Sequence, residues 1–95
     1  MKKTADMDCP IAKTATLLSD TWTMLIIRDL LKGKMRFSEL EKTLVGISSR
    51  TLTLKLKCLE NADIVKKSDI YYTLSPQGKK LKNVITAMEI WGKKA

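Results

Sequence analysis

The chain has 95 residues, a length that suits one domain built on a single core. Lysine and arginine outnumber aspartate and glutamate by 18 to 10, and the net charge of +8 favours polyanionic partners such as nucleic acid or an anionic membrane face. Histidine is absent and only two cysteines occur, which excludes histidine-based catalysis, histidine metal sites and a zinc site made by cysteine alone. No apolar run approaches the roughly 20 residues of a membrane span, and no secretory signal is recognisable at the N-terminus. We therefore expect a cytoplasmic protein with reduced thiols that is not an enzyme and needs no cofactor or metal.

The first predicted helix begins at Pro10, because proline suits the first turn, where its missing N–H does no harm. Ile11, Ala15 and Leu18 recur at helical spacing and predict one apolar face. Cys9 directly precedes this helix, where the helix dipole would stabilise a thiolate and make it reactive. The alternative is that Cys9 is a small apolar side chain that fills a gap in the packing.

The second predicted helix covers residues 22–31 and is the most apolar segment of the chain. A helix that is apolar around so much of its circumference is expected at the centre of the fold. Either Ser19 or Asp20 can cap its start. Arg28 and Asp29 are predicted to mark its solvent-exposed edge.

A helix-turn-helix is predicted over residues 37–61. The apolar positions of its first helix share one face: Phe37, Leu40 and Leu44. Ser38 and Glu41 have the spacing of a capping box at the start of this helix. Gly46 lies where the chain must reverse sharply, and a tight turn that contains glycine is typical of this motif.

The second helix of the pair is predicted to have one apolar face and one polar, basic face. Ser48 can cap its start. The apolar face, which must pack on a core, consists of Leu52, Leu56 and Leu59. Arg50 in the first turn can reach a guanine edge with its forked guanidinium, although the basic side chains could equally be a solvated face. Cys58 lies next to the leucines and is expected to pack rather than to react.

A β-hairpin is predicted over residues 64–74, because two runs of β-branched and aromatic residues flank Ser68 and Asp69, which favour a turn. A hairpin directly after a recognition helix is a wing, and Lys66 and Lys67 would bring positive charge toward the flanking DNA backbone. The residues expected at a DNA interface are Arg36, Ser48, Ser49, Arg50, Thr51, Thr53, Leu54, Lys55, Lys66 and Lys67.

The last predicted helix covers residues 76–92, with Ser75 as its cap and Pro76 as its first residue. Its apolar stripe is long, so part of it can pack on the domain's own core while the rest, with the helix at 9–18, pairs with a second copy. The residues expected at this dimer interface are Ile11, Ala15, Leu18, Leu81, Val84, Ile85, Met88 and Trp91. The predicted fold is therefore one mainly α-helical domain over residues 1–95 with a small β-hairpin, a winged helix-turn-helix with an extra helix at each end for dimerisation.

The order and spacing of several short motifs resemble the HxlR-type transcriptional regulators, a branch of the winged-helix proteins near the MarR group. The matching segments are Cys9-Pro10, Trp22-Thr23, Leu25-Ile26, 28–31, Gly33, 36–40, 46–48, Leu52-Thr53, Leu56, Leu59-Glu60, 72–75 and Gly78. The resemblance implies a homodimer that binds a pseudo-palindromic operator. It also implies that the cysteine before proline, Cys9 here, acts in some members as a thiol switch for electrophiles or oxidants.

The sequence departs from the family pattern at positions that affect DNA reading. Ser49 stands where the family usually has proline, and Leu54 replaces a polar residue and could touch a thymine methyl group or weaken base reading. The wing is several residues shorter than is usual in the family. A winged-helix domain that binds another protein, and not an operator, is the alternative function, and the salt dependence of duplex binding distinguishes the two.

Overall fold

The computed structural model describes residues 9–95, which form six helices and a three-stranded antiparallel sheet. In chain order the elements are α1 Pro10–Leu17, α2 Thr21–Leu30, β1 Met35–Arg36, α3 Phe37–Thr43, α4 Ser49–Asn61, β2 Val65–Ser68, β3 Tyr71–Leu74, α5 Pro76–Lys79 and α6 Lys82–Lys94. Across these residues, every helix is too short or too polar to cross a lipid bilayer.

The core is an aliphatic cluster around α2, as the sequence predicts. Its buried members are Leu18, Ile26, Ile27, Leu30, Leu40, Leu44, Leu52, Leu56, Leu59, Ile64, Val65 and Leu74. All three leucines of the predicted apolar face of α4 belong to this cluster. The buried stripe of α4 therefore fixes which of its faces points to solvent.

Asp29 is buried, and its prediction as part of an exposed edge is wrong. Its carboxylate accepts hydrogen bonds from Arg28 Nε at 2.9 Å and from the Thr43 hydroxyl at 2.8 Å. A buried carboxylate is tolerated only when it is paired and hydrogen-bonded, and these two donors meet that need. The contact with Thr43 ties α2 to the end of α3.

The start of α3 differs from the predicted capping box. Arg36 is the residue that caps this helix, and its backbone N–H donates to Glu39 Oε1 at 2.8 Å. Glu41 does not reach back to the helix start; its carboxylate accepts a hydrogen bond from the Ser49 hydroxyl of α4. The spacing rule thus places the capping box two residues too late.

The sheet contains a strand that the sequence did not reveal. β1 has only two residues and pairs with β3, Met35 opposite Tyr72 and Arg36 opposite Tyr71, so the strand order is β1-β3-β2. A two-residue strand has no alternating pattern to detect, and only its partner defines it. Its pairing places the start of the helix-turn-helix against the hairpin.

The hairpin is closed by a two-residue turn at Asp69 and Ile70, one residue later than predicted. Ser68 is the last residue of β2 and pairs with Tyr71. Asp69 has a φ of +59°, a left-handed conformation that aspartate tolerates better than most residues.

The predicted helix over 76–92 is two helices. Ser75 does cap the first, since its hydroxyl oxygen accepts from the Gly78 N–H at 2.9 Å. The backbone N–H groups of Lys80 and Leu81 then donate to carbonyls three residues back, at 3.3 and 3.0 Å. This tightened turn interrupts the α-helical pattern and separates α5 from α6.

Candidate nucleic-acid interface

Helix α4 begins where the sequence predicts. Ser48 is its cap, and the serine Oγ accepts a hydrogen bond from the Thr51 N–H at 3.0 Å. Gly46 has a φ of +93°, so the turn before the helix uses the freedom that glycine provides. The cap leaves the first turn of α4 open to solvent, with Ser48, Ser49 and Arg50 all exposed.

The outward face of α4 is a strip of Arg50, Leu54 and Lys57. These residues recur at i, i+4 and i+7, and each precedes one of the buried leucines by two positions. Because two residues correspond to a rotation of about 200° around a helix, the strip lies on the side of α4 opposite the leucines. All three are exposed, and Leu54 retains 55% of its accessible surface. We call this strip the α4 outer face. It combines two cations with one apolar side chain, a set that can meet phosphates, a guanine edge and a thymine methyl group.

Three of the four hydroxyl groups predicted to contact DNA already donate hydrogen bonds within the protein, whereas that of Thr51 accepts one. Ser48 Oγ donates to Thr51 Oγ1 at 2.9 Å, and Thr53 Oγ1 donates to the Ser49 carbonyl at 2.8 Å. The Ser49 hydroxyl donates to the carboxylate of Glu41. In this arrangement these groups can accept hydrogen bonds from bases, but they have no proton left for a phosphate. The negative charge of Glu41 next to Ser49 further disfavours a phosphate there. The residue spacing along α4 could not predict this contact, because Glu41 belongs to α3.

Lys55 lies at the side of α4 and is half-buried. Its ammonium is 3.4 Å from a carboxylate oxygen of Asp20, the residue that caps α2. Partial desolvation raises the pKa of Asp20, but hydrogen bonds from the Thr23 backbone and hydroxyl and the Lys55 ammonium outweigh it, so the net pKa is lowered. The predicted DNA contact Lys55 therefore has an internal partner that links α4 to α2.

Three cations in or next to the sheet lie over aromatic rings. Lys34 Nζ is 4.3 Å from the centre of the Tyr71 ring, and Arg36 Cζ is 5.7 Å from the same ring. Lys67 Nζ is 5.5 Å from the centre of the Tyr72 ring. Such contacts hold long side chains in place without neutralising their charge. Arg36 and Lys67 thus remain exposed cations, but their positions are restrained.

The wing is as short as its sequence indicates. The exposed residues of β2 and the turn are Lys66, Lys67, Ser68, Asp69 and Ile70. Ile70 keeps 49% of its accessible surface at the tip. The two lysines precede an aspartate, so the positive charge of the wing lies along its β2 strand and not at its tip.

The helices at the two ends of the domain expose large apolar side chains. Ile11 of α1 retains 78% of its accessible surface and Trp91 of α6 retains 74%, and Met88 and Ile90 are also exposed. An apolar groove of about 550 Å³ runs between α1, α2 and α6. The sequence had not singled out Ile90, because it lies off the stripe of the other apolar positions.

The predicted dimer residues divide into three groups. Leu18 retains only 6% of its surface and is part of the core. The residues that pack partly against the core are Leu81, Val84 and Ile85, whereas Ile11, Ala15, Met88 and Trp91 are exposed. Only the exposed group, together with the edges of the half-buried residues, is available to another molecule.

The two cysteines lie in different surroundings. Cys9 is half-buried at the start of α1; its carbonyl accepts from the Lys13 N–H at 3.0 Å, and its side chain makes no capping hydrogen bond. Cys58 is exposed on α4, so the expectation that it packs in the interior is wrong. The helix turns the Cys58 side chain away from the leucine stripe.

Comparison with known proteins identifies the group to which this geometry belongs. A family model described as HxlR-like helix-turn-helix matches residues 17–95. The uncharacterized HTH-type transcriptional regulator sll1512 of Synechocystis is 36% identical over 92 residues, which cover 88% of this chain and 67% of its own length. The HTH-type transcriptional regulator YodB of Bacillus subtilis is 35% identical over 91 residues, covering 87% of this chain and 81% of YodB.

Solved structures agree with the sequence relatives. Quinone-bound YodB from B. subtilis matches with a TM-score of 0.85 at 35% identity, covering 92% of this chain and all of that chain. A MarR-family transcriptional regulator from Porphyromonas gingivalis W83 has a TM-score of 0.89 at 29% identity and covers 97% of both chains. The predicted winged helix-turn-helix fold and the resemblance drawn from the sequence are both confirmed. The chain belongs to the HxlR-like helix-turn-helix family of transcriptional regulators.

Proposed function

We propose that this protein binds a pseudo-palindromic operator as a homodimer and regulates transcription from it. The observation that carries the proposal is the α4 outer face, where Arg50, Leu54 and Lys57 are exposed directly opposite the buried leucines. A helix anchored on one side and cationic on the other can enter the major groove of B-DNA, which is wide enough for an α-helix.

Each side chain of the outer face has a different role in this proposal. Arg50, in the first turn, hydrogen-bonds a guanine through O6 and N7. Leu54, one turn later, packs against a thymine methyl group, and Lys57 contacts a phosphate. Two copies of α4 in one dimer would read half-sites about 34 Å apart, one turn of the duplex.

The decisive test compares Arg50→Ala with Lys80→Ala. Both variants remove one exposed cation, but Lys80 lies at the α5–α6 junction and not on α4. We expect Arg50→Ala to weaken binding to the protected operator by about 1–3 kcal/mol and to affect random duplex DNA much less. We expect Lys80→Ala to change both only slightly. Equal losses on operator and random DNA would contradict a base contact by Arg50.

Salt dependence tests whether DNA is the partner at all. Operator affinity should fall steeply with salt, because each phosphate that a cation neutralises releases a counterion. Purified protein should also protect an inverted repeat in a promoter near its own gene. Absence of any duplex binding, or duplex affinity that ignores salt, would favour a protein-binding module instead.

The homodimer is proposed from the exposed apolar surfaces of α1 and α6. From Thr86 onward every residue of α6 is exposed, so this half of the helix extends beyond its own core. Leaving Met88, Ile90 and Trp91 in water is unfavourable, and burying a side chain of this size contributes about 1.5–3 kcal/mol. The apolar groove beside α1 offers a surface of matching character on a second copy.

A thiol switch at Cys9 is the proposed means of regulation. YodB of B. subtilis has been solved in reduced, quinone-bound and diamide-treated forms, and quinones and diamide both react with thiols. In this chain Cys9 precedes Pro10 and Ile11, which line the apolar groove. Addition of its thiolate to a quinone forms a carbon–sulfur bond and leaves an enolate oxygen, which takes a proton from water. The hydrogen of the attacked ring carbon then moves to the other oxygen, and the product is a hydroquinone thioether. The adduct would disturb α1 and therefore the dimer.

Parallel variants separate the two thiols. We expect p-benzoquinone to reduce the operator affinity of the wild type and of Cys58→Ser, but not of Cys9→Ser. Cys58→Ser is the matched control because it removes the other thiol, which is exposed on α4. A Cys9→Ser protein that still responds while Cys58→Ser does not would move the switch to α4.

A further inference from the structure

A second pocket, remote from the α4 outer face, collects positive charge from three different elements. It has a volume of about 400 Å³ and lies between the end of α2, strand β3 and the α5–α6 region. Its lining includes Lys34 from the segment after α2, Lys79 from α5 and Lys82 from the first position of α6. The residues that line it include no aspartate or glutamate.

The rest of the lining is apolar or hydroxylic. Leu30 and Leu74 are core residues whose side chains form part of the pocket wall. The half-buried Thr73 contributes a hydroxyl group next to them. The pocket thus has a cationic part and an apolar part within one small volume, and that volume lies in the range of small-molecule sites in proteins.

The three ammonium groups have no anionic partner within residues 9–95, where the ion pairs involve other side chains. Lys34 is restrained by the Tyr71 ring, 4.3 Å from its Nζ, but the ring leaves its charge intact. Like charges on residues that line one pocket raise its electrostatic potential and attract anions. An anion in the pocket would relieve the repulsion among the three lysines.

We propose that this pocket binds a small organic anion, with its phosphate or carboxylate group among Lys34, Lys79 and Lys82 and its apolar body against the leucines. The Thr73 hydroxyl can donate to the same anionic group. Such a ligand would contact α2, β3, α5 and α6 together, and so link the wing strand to the helix that extends from the domain. The proposal concerns a site other than the α4 outer face, and it does not depend on operator binding.

Phenyl phosphate is the probe, because it joins a dianion to an apolar ring of suitable size. Titration into the ¹⁵N-labelled protein should shift the amide signals of Gly33, Thr73 and Leu74 saturably, with a Kd of roughly 1 mM for so small a ligand. Inorganic phosphate should bind more weakly, since it lacks the ring. Absence of saturable shifts at these amides would overturn the proposal.

The double variant Lys79→Gln/Lys82→Gln tests the cationic part, with Lys93→Gln/Lys94→Gln as a control of equal charge at the far end of α6. All four lysines are exposed, so both variants should fold. The first should weaken phenyl phosphate binding by at least about 10-fold, the usual effect of losing a charge-assisted hydrogen bond. The control variant should bind phenyl phosphate as tightly as the wild type. Equal weakening in both variants would show that only the net charge matters and would overturn the proposed site.

Measuring the duplex affinity of the same two variants tests whether these lysines contact DNA and not a small anion. Without phenyl phosphate, the Lys79→Gln/Lys82→Gln variant should bind duplex DNA as well as the Lys93→Gln/Lys94→Gln control. A selective loss of duplex affinity as large as that caused by Arg50→Ala would identify these lysines as backbone contacts and overturn the small-anion site.

Discussion

Replacing Gly78 with alanine should destabilise the protein, although the same change stabilises most helices. Gly78 is buried in α5, and a Cβ atom placed on it would lie 2.3 Å from the backbone carbonyl oxygen of Ile64. That carbonyl also accepts a hydrogen bond from the Ser75 N–H at 2.8 Å. The clash therefore falls on backbone that is fixed from the other side, and no flexible side chain can move away to relieve it.

The sizes of the opposing terms predict the sign. Alanine gains about 1 kcal/mol over glycine in a helix interior. Overpacking of a tight site costs about 1–3 kcal/mol, and loosening the Ser75–Ile64 hydrogen bond costs about 1 kcal/mol more. The net loss is about 1–3 kcal/mol, which corresponds to a fall in Tm of roughly 5–20 °C for a domain of this size.

Gly92→Ala is the matched control, because it makes the same change in α6 where a Cβ would meet nothing within 4 Å. It should raise stability by up to about 1 kcal/mol. Thermal and urea unfolding of both variants, followed by circular dichroism at one protein concentration, gives the comparison. A Gly78→Ala protein as stable as the wild type would refute the close contact between α5 and the residue before β2.

Two further variants test the electrostatics and the dimer. Asp20→Asn keeps a helix-capping side chain but removes the charge that faces Lys55. The pKa of Asp20 in the folded protein is lowered from its ordinary value of 3.8. The charge therefore stabilises the fold above pH 3.8, and this stabilisation is lost as the pH falls through the folded pKa. The wild type should therefore unfold at a slightly higher temperature than Asp20→Asn near neutral pH and lose this advantage in acid, and a pH-independent difference would count against the ion pair. Trp91→Glu should convert the proposed dimer to a monomer, as measured by sedimentation velocity, whereas Thr86→Glu, on another side of α6, should not. A dimeric Trp91→Glu protein would exclude that side chain from the interface.

Most of the helical framework could be predicted from local sequence. Ser48 caps α4, Pro10 and Pro76 begin their helices, and the leucines of α4 are buried as their spacing requires. These features depend on residues within a few positions of each other, so one sequence contains the whole signal. The hairpin was also recognisable, although its turn lies one residue later than predicted.

The candidate interface was predictable only in part. The exposure of Arg50 and Leu54 follows from helical periodicity. The engagement of Lys55 by Asp20 and of Ser49 by Glu41 does not, because each pair joins residues of different helices. The local hydrogen bonds of Ser48 and Thr53 likewise depend on side-chain conformations that spacing alone does not specify.

The sequence by itself determined the winged helix-turn-helix order, the buried stripe of α4 and the excess of positive charge, since composition and periodicity are local properties. Tertiary structure alone decided that β1 exists, that Asp29 is buried beside Thr43 and that Lys34, Lys79 and Lys82 surround one pocket. Each of these features brings together residues that are far apart in the chain. Which residues come together depends on how α2, the sheet and α6 pack. Periodicity shows which face of a helix is buried, but not which distant residue it will contact.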